Sequence, residues 1–317
     1  MYEYRKGTEG ISKTLLAFNG ALFLSVLFMI FVISQEVKGP QTKEVAVHEE
    51  LPPQKVFAPV SLKAKSAYVY DVAQNKILFK KNELAQLPLA SITKLMMALT
   101  ASELLPKDSK ITIRKEFLEE EGNSGLLANE SWKLKDLLDF SLIVSSNDGA
   151  RSIASVIGAT KLQTDNYDLG RREFISKMND KARELGLKQM YFTNENGLDV
   201  GTTSGGYGSA VDVSNLLQYI MKNNPDILEA TRYENLKINS QTQTHSAKNT
   251  NTDLTNIPGI IASKTGFTEM AGGNLVVAFD SSLGRPIIVV VLGSTQEGRF
   301  EDVEKLVKAS LDYVVGE

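Results

Sequence analysis

The change of pattern at Gly259 constrains the fold of this chain more than any other feature. Three β-favouring runs follow it, with turn residues between the last two. They are Ile260 to Gly266, Gly273 to Phe279 and Pro286 to Leu292. Asp302 to Val315 then has the apolar spacing of an amphipathic helix. Strands this close along the chain pair antiparallel, so the pattern predicts a meander with a helix packed on it.

The part of the chain before Gly259 is mainly helical but opens with strands. Ser66 to Asp71 and Lys76 to Phe79 are short β-favouring runs around Ala73-Gln74-Asn75, which indicates a hairpin. Four helical segments follow, namely one from Ser91, Lys133 to Val144, Phe174 to Leu185, and Ala210 to Met221. The order predicts an α+β fold in which early and late strands form one sheet, with a helical lobe inserted between them.

An uncharged run of 20 residues, Leu15 to Ser34, lies near the amino end. A helix of this length spans a hydrocarbon core of about 30 Å. No small-x-small cleavage site follows it, so we expect a retained transmembrane anchor rather than a cleaved signal peptide. The weak excess of basic residues before it predicts that residues 1–14 are a short cytoplasmic tail and that the rest is extracytoplasmic, at the cell membrane.

Residues 35–56 are polar and contain Gly39-Pro40 and Pro52-Pro53, so they are typical of a flexible tether. Residues 57–317 are then predicted to form the one folded domain.

Composition excludes several classes of chemistry. The 317 residues include 35 basic and 38 acidic side chains with a net charge of −3, which predicts no nucleic-acid partner. Cysteine is absent, so disulfides and thiolate nucleophiles are excluded. The two histidines, His48 and His245, are too few for a His-rich metal site. No Gly-x-Ser-x-Gly elbow occurs either, so serine chemistry here would use a base other than histidine.

Ser91-x-x-Lys94 supplies such a pair of residues at the head of a helical run. Positions three apart lie on one helix face, so the Lys94 amine can reach the Ser91 hydroxyl. A neutral Lys94 could take the serine proton and make Ser91 a nucleophile. Alone, the pattern equally fits a capping serine and a solvent-facing lysine.

Two further motifs support the interpretation of Ser91 as a nucleophile and Lys94 as its base. Ser145-x-Asn147 lies in a polar break, residues 145–149, and Lys264-Thr265-Gly266 runs along a predicted strand. Each alone fits ordinary loop capping or an edge-strand lysine. The three motifs in this order resemble the active-serine pattern of β-lactamases and penicillin-binding proteins.

The likeness extends over most of the predicted domain. The segments that resemble the D-alanyl-D-alanine carboxypeptidases, the low-molecular-mass penicillin-binding proteins, are Gly122 to Leu126, Phe174 to Asp199, Ser209-Ala210-x-Asp212 and Lys264 to Val276. The resemblance implies a β-lactamase/DD-peptidase-like fold, with an antiparallel sheet flanked by helices, a mainly helical lobe, and the active site between them. It implies no cofactor, peptidoglycan stem peptides as substrates, and β-lactams as covalent inhibitors.

The resemblance also implies catalytic roles. Ser91 would form an acyl-enzyme with the penultimate D-Ala carbonyl and expel the terminal D-Ala. Lys94 would be its general base, with a pKa lowered by burial and by the second cation Lys264. Ser145 would relay a proton to the leaving nitrogen, and Asn147 would bond the substrate backbone and Lys94.

The remaining implied residues bind substrate. The N–H groups of Ser91 and Phe267 would form the oxyanion hole. Gly266, which precedes Phe267, is also implied to contact the substrate. Thr265 and Arg299 match positions that bind the substrate carboxylate, although Arg299 alone fits an exposed charge near a helix start. Asn196 departs from the family, since many relatives carry histidine in an Asn-x-His-Gly-Leu-Asp loop.

Two alternatives stay open, and a third is disfavoured. The chain ends soon after the predicted closing helix, and relatives without a second domain include DD-endopeptidases that cut cross-links. A tethered muropeptide- or β-lactam-binding sensor without turnover is a non-enzymatic alternative. A class A β-lactamase is disfavoured, because residues 160–200 contain no Glu-x-x-x-Asn element.

Overall fold

A computed structural model describes residues 24–32 and 56–315. Residues 24–32 are helical with exposed side chains. The rest of the predicted anchor, the predicted tail and all but the last residue of the predicted tether lie outside the described residues. Within the two described ranges, no helix is both long enough and apolar enough to cross a membrane. Lys55–Glu317 forms one compact unit.

The strands of this unit, in chain order, are β1 (Ser66–Asp71), β2 (Lys76–Lys81), β3 (Leu87–Pro88), β4 (Lys110–Thr112), β5 (Ser131–Lys133), β6 (Tyr191–Phe192), β7 (Gly206–Gly208), β8 (Asn235–Asn239), β9 (Thr244–Lys248), β10 (Ile260–Thr268), β11 (Gly272–Asp280) and β12 (Pro286–Ser294). The α-helices are α1 (Thr93–Leu104), α2 (Leu134–Ile143), α3 (Asn147–Leu162), α4 (Tyr167–Glu184), α5 (Ala210–Asn223) and α6 (Gly298–Val315).

The main sheet confirms the predicted pairing of early and late strands. It has five antiparallel strands in the order β10-β11-β12-β1-β2. The amino-terminal hairpin joins the carboxy-terminal meander where β1 pairs with β12, for example Val69 opposite Val289. Strand β10 lies at one edge of this sheet. The chain between β2 and β10 contains α1–α5, which is the inserted helical lobe.

Alternate residues of the central strands bury their side chains on opposite faces, as the period of two requires. Val277 and Val289 pack with Leu306 of α6 in one apolar cluster. Val276 and Val290 pack in a second cluster with residues of the helical lobe. The sheet is therefore covered on both faces, and the predicted α+β architecture is confirmed.

The polar break predicted at residues 145–149 is shorter than expected. Helix α3 begins inside it, at Asn147, because the Ser146 hydroxyl accepts a hydrogen bond from the Gly149 N–H at 2.9 Å. Ser145 remains outside the helix, in the left-handed region at φ 58°. Asn147 is thus a helical residue, not the loop residue that was predicted.

Two other helices begin earlier than their apolar patterns predicted, because polar residues cap them. The Asn166 side chain accepts from the Leu169 N–H at 2.9 Å at the start of α4. The Thr295 hydroxyl accepts from the Gly298 N–H at 2.9 Å at the start of α6. As a result Arg299 belongs to the first turn of a helix that packs on β11 and β12.

Candidate active site

The candidate nucleophile lies where the helical lobe meets the edge strand β10. Ser91 belongs to a 3₁₀ turn, Ala90–Ile92, directly before α1. Ala90 is fully buried with φ 47°, a left-handed conformation that non-glycine residues seldom adopt. A Cβ at Gly266 would lie 2.8 Å from the Leu89 carbonyl oxygen and 3.1 Å from the Ser91 nitrogen. Only glycine therefore lets β10 pass this close to the nucleophile turn.

Lys94 lies beneath Ser91 and is 0 % exposed. Its Nζ donates to the Ser91 Oγ at 2.9 Å, to the Asn147 Oδ1 at 2.7 Å and to the Asn196 backbone carbonyl at 2.7 Å. The three partners account for every hydrogen of an ammonium group. The alternative of a solvent-facing lysine is therefore wrong.

The environment of Lys94 makes it a base near neutral pH. Burial lowers the pKa of Lys94 to about 7, because the charged form loses its hydration. The carboxylates of Glu195 and Glu120 act in the opposite direction and raise this pKa. About half of the Lys94 side chains are then neutral at pH 7.

Lys264 of β10 is also buried, and its Nζ donates to the Ser145 Oγ and to the Thr265 carbonyl, both at 2.9 Å. Burial lowers the pKa of Lys264, and the nearby cations Lys94 and Arg299 lower it further. Of the predicted motif residues, Asn147 is thus bonded to Lys94 and Ser145 to Lys264.

Arg299 approaches β10 from α6. Its Nη1 donates to the Gly266 carbonyl at 2.8 Å, and the residue is 8 % exposed. Burial lowers the pKa of Arg299. Within residues 56–315, the buried Nε of this guanidinium has no hydrogen-bond partner. The Glu297 carboxylate acts in the opposite direction to burial and raises the pKa of Arg299. The alternative of an exposed charge at a helix start is therefore wrong.

The last two predicted residues flank Gly266 on β10. The buried Thr265 hydroxyl is 2.6 Å from the Thr250 hydroxyl. Phe267 is 39 % exposed, at the accessible end of the strand. The first half of β10 is covered by the turn Glu229–Arg232, where Thr231 accepts from the Ser263 N–H at 3.2 Å.

All nine predicted site residues therefore gather around the 3₁₀ turn and the second half of β10. The arrangement offers a hydroxyl beside a buried amine of lowered pKa, a second hydroxyl held by a second buried lysine, and a buried guanidinium. Such a set can perform acyl transfer through a serine ester and can bind a carboxylate.

The sequence did not indicate a charged network next to these residues. Glu120 pairs with Arg151 at 2.6 Å and with Arg171 at 3.4 Å. Arg171 also pairs with the fully buried Glu195 at 2.9 Å. These side chains come from two loops and two helices with no common spacing. The three consecutive glutamates at 119–121 were the one visible signal, and such a run is usually a solvated surface.

Comparison with known proteins decides the family. The D-alanyl-D-alanine carboxypeptidase family profile matches residues 53–296 of this chain. The chain belongs to the D-alanyl-D-alanine carboxypeptidase family. The match includes eight of the nine predicted site residues and all of the network around Glu120, while Arg299 lies just beyond it.

The chain is similar to family members from several bacteria. It is 29 % identical to D-alanyl-D-alanine carboxypeptidase DacF of Bacillus subtilis, over 90 % of this chain and 68 % of that protein. It is 32 % identical to a D-alanyl-D-alanine endopeptidase of Escherichia coli, over 72 % and 70 % of the two chains. Penicillin-binding protein D2 of Listeria monocytogenes, crystallised with ampicillin, superposes with a TM-score of 0.67 at 27 % identity, covering 80 % of this chain and 99 % of that one.

Proposed function

We propose that this protein is a serine-type D-Ala-D-Ala carboxypeptidase that removes the terminal D-Ala from peptidoglycan stem peptides through an acyl-enzyme on Ser91. The buried Lys94 amine, 2.9 Å from the Ser91 hydroxyl, is the observation that carries this proposal. Membership of the carboxypeptidase family supports the same activity.

Acylation begins when neutral Lys94 takes the Ser91 proton. The Ser91 oxygen attacks the penultimate D-Ala carbonyl, and the N–H groups of Ser91 and Phe267 bind the oxyanion. The C–N bond then breaks, and the Ser145 hydroxyl passes a proton to the leaving nitrogen, so that D-Ala departs as a neutral amine. The proton that Lys94 took from Ser91 then restores the Ser145 hydroxyl, which Lys264 holds at 2.9 Å. In deacylation, neutral Lys94 takes a proton from the attacking water and returns it to the Ser91 oxygen as the ester C–O bond breaks, so the shortened peptide leaves as a carboxylic acid.

The substrate carboxylate binds beside β10. Arg299 has a buried guanidinium that bonds only the Gly266 carbonyl and leaves its Nε without a partner in the described chain. A carboxylate would supply the acceptors that this guanidinium lacks. The Thr265 hydroxyl on the same strand would provide a second donor, and the Asn147 amide would bond the peptide backbone.

β-Lactams should acylate the same serine. The ampicillin-bound relative from Listeria monocytogenes supports this expectation. The test is to incubate the full-length protein with benzylpenicillin and locate the adduct by peptide mass spectrometry. We expect a penicilloyl group on Ser91 and none in Ser91→Ala, with unchanged thermal unfolding. An adduct elsewhere, or no adduct in folded wild-type protein, would contradict the proposed nucleophile.

DD-endopeptidase activity is the second candidate, supported by the 32 % identity to the Escherichia coli endopeptidase. The same residues would attack a D-Ala carbonyl whose leaving amine belongs to a neighbouring stem peptide. Cross-linked muropeptide dimers and pentapeptide monomers, supplied at equal concentration, separate the two activities. Faster conversion of dimers to monomers than of pentapeptides to tetrapeptides would favour the endopeptidase.

We also propose that residues 15–34 anchor the protein in the cell membrane with the Ser91 domain on the extracytoplasmic side. The uncharged 20-residue run supports this proposal. Full-length protein should stay with the membrane fraction after a high-salt and carbonate wash, and deletion of residues 1–34 should release it. Release of the full-length protein by carbonate would contradict the anchor.

A further inference from the structure

Two adjacent residues of one loop contact the two partners of Lys94 other than Ser91. The Glu121 backbone carbonyl accepts from the Asn147 Nδ2 at 2.6 Å. The Glu120 Oε2 accepts from the Asn196 Nδ2 at 2.9 Å. Asn147 and Asn196 in turn supply the two carbonyl oxygens that Lys94 bonds at 2.7 Å. The loop at residues 120–121 thus bonds both residues that supply these acceptors.

The hydrogen-bonding capacities of these groups fix their orientation. Because the Glu121 carbonyl can only accept, the Asn147 NH₂ must face it and the Asn147 Oδ1 must face Lys94. A neutral lysine has two N–H bonds and one lone pair. With Asn147 Oδ1 and the Asn196 carbonyl as acceptors for the two N–H bonds, the lone pair is left for the Ser91 hydroxyl hydrogen. Loss of either acceptor would let the amine rotate away from Ser91.

Glu120 is itself held in place. Its Oε1 accepts from the Arg151 Nη1 at 2.6 Å and lies 3.4 Å from the Arg171 Nη2. Its backbone N–H donates to the Asp148 Oδ1 at 3.2 Å. Arg171 also bonds Glu195, the residue before Asn196, at 2.9 Å. The carboxylate is therefore a fixed support for the Asn196 loop rather than a mobile surface charge.

We propose that Glu120 is a positioning residue for Lys94, which holds Asn196 directly and keeps the neighbouring Glu121 carbonyl against Asn147. The inference rests on the proposed function, because Lys94 needs this orientation only as the base for Ser91. Misplacement of a catalytic group by about 1 Å can cost on the order of 10²-fold in rate.

The charge of Glu120 gives the proposal a second, independent readout. The charged groups that shift the pKa of Lys94 are the carboxylates of Glu120 and Glu195, which raise it. The repulsion between Lys94 and Lys264 lowers the pKa of Lys264 instead, so the predicted effect of Lys264 on Lys94 is corrected. The Glu120 carboxylate raises the pKa of Lys94, so its removal should lower this pKa. The pH at which acylation reaches half of its maximum should then fall. A residue that stabilised the fold without acting electrostatically on Lys94 would not move this midpoint.

The test uses full-length protein and follows acylation by a fluorescent penicillin from pH 5.5 to 9. In Glu120→Ala, which removes the acceptor and the charge, we expect the maximal acylation rate to fall roughly ten- to hundredfold, with little change in half-saturating penicillin concentration. In Glu120→Gln, which keeps an acceptor but removes the charge, we expect a smaller loss of rate. Both variants should show a midpoint at lower pH. Glu119→Ala, with the same charge change at an exposed neighbour, should match wild type.

A folded Glu120→Ala with the wild-type maximal rate and midpoint would overturn the proposal. If Glu120→Ala does not unfold cooperatively, Glu120→Gln takes its place in the test. A folded Glu120→Gln whose acylation has the wild-type pH midpoint would then overturn the proposal. Absence of Ser91 labelling in the wild type would instead contradict the proposed function, so the two failures are distinguishable.

Discussion

The pH dependence of Ser91 acylation follows directly from the burial of Lys94. Burial lowers the pKa of this amine to about 7, and only the neutral amine can accept the Ser91 proton. The neutral fraction is then roughly 0.1 at pH 6, 0.5 at pH 7 and 0.9 at pH 8. The acylation rate should therefore rise about tenfold from pH 6 to pH 8 and become flat above pH 8.

The assay is stopped-flow acylation by a fluorescent penicillin below saturation, with thermal unfolding measured at each pH to exclude loss of folded protein. Lys94→Arg is the matched control, because a guanidinium keeps its proton across this range. It should abolish acylation at every pH. A wild-type rate that is constant between pH 6 and 8, or one that keeps rising beyond pH 9, would refute the assignment of Lys94 as the base.

Three further predictions concern other parts of the domain. Arg299→Ala should lower kcat/KM for a D-Ala-D-Ala peptide by roughly ten- to hundredfold, the loss expected for a hydrogen bond to a charged group. The same variant should slow penicillin acylation less, and equal losses in the two assays would argue that Arg299 does not bind the peptide carboxylate. Gly158→Ala would place a Cβ 1.8 Å from the Gly170 carbonyl oxygen, so the free energy of unfolding in urea should fall by about 1–3 kcal/mol. An unchanged urea midpoint would contradict this close contact of α3 and α4. Burial raises the pKa of Asp139 to about 6, although its bond to Lys135 acts in the opposite direction. The stability of the fold should therefore fall as the pH rises from the unfolded pKa of 3.8 through about 6, because the buried carboxyl resists ionisation. Asp139→Asn should raise Tm at pH 8 more than at pH 4, and a larger gain at pH 4 would contradict the raised pKa.

The sequence predicted the parts of the fold that are governed by apolar periodicity. The meander, the hairpin at Asn75 and the insertion of the helical lobe follow from patterns of period two and 3.6. Helix starts were predicted less well, because α4 and α6 begin at a polar cap before their first apolar residue and α3 begins inside the predicted polar break. The hairpin β8–β9 was missed for a related reason, since its residues are mostly polar and few of them are buried.

Some residues of the candidate site could likewise be predicted from the sequence, and others could not. Ser91, Lys94 and Lys264 lie in short motifs whose spacing has a chemical meaning, so they could be found without a structure. Glu120 could not, because its role depends on contacts with side chains 31, 51 and 76 positions away, at Arg151, Arg171 and Asn196. Contacts at such separations leave no local pattern in a single sequence.

The most direct test of the central claim is release of free D-Ala. Purified full-length protein would be incubated with a muropeptide ending in D-Ala-D-Ala, and D-Ala would be followed against Ser91→Ala as the control. The proposed carboxypeptidase predicts D-Ala release that depends on Ser91 and leaves a peptide shortened by one residue. No release from folded, penicillin-reactive protein would contradict the proposed carboxypeptidase activity.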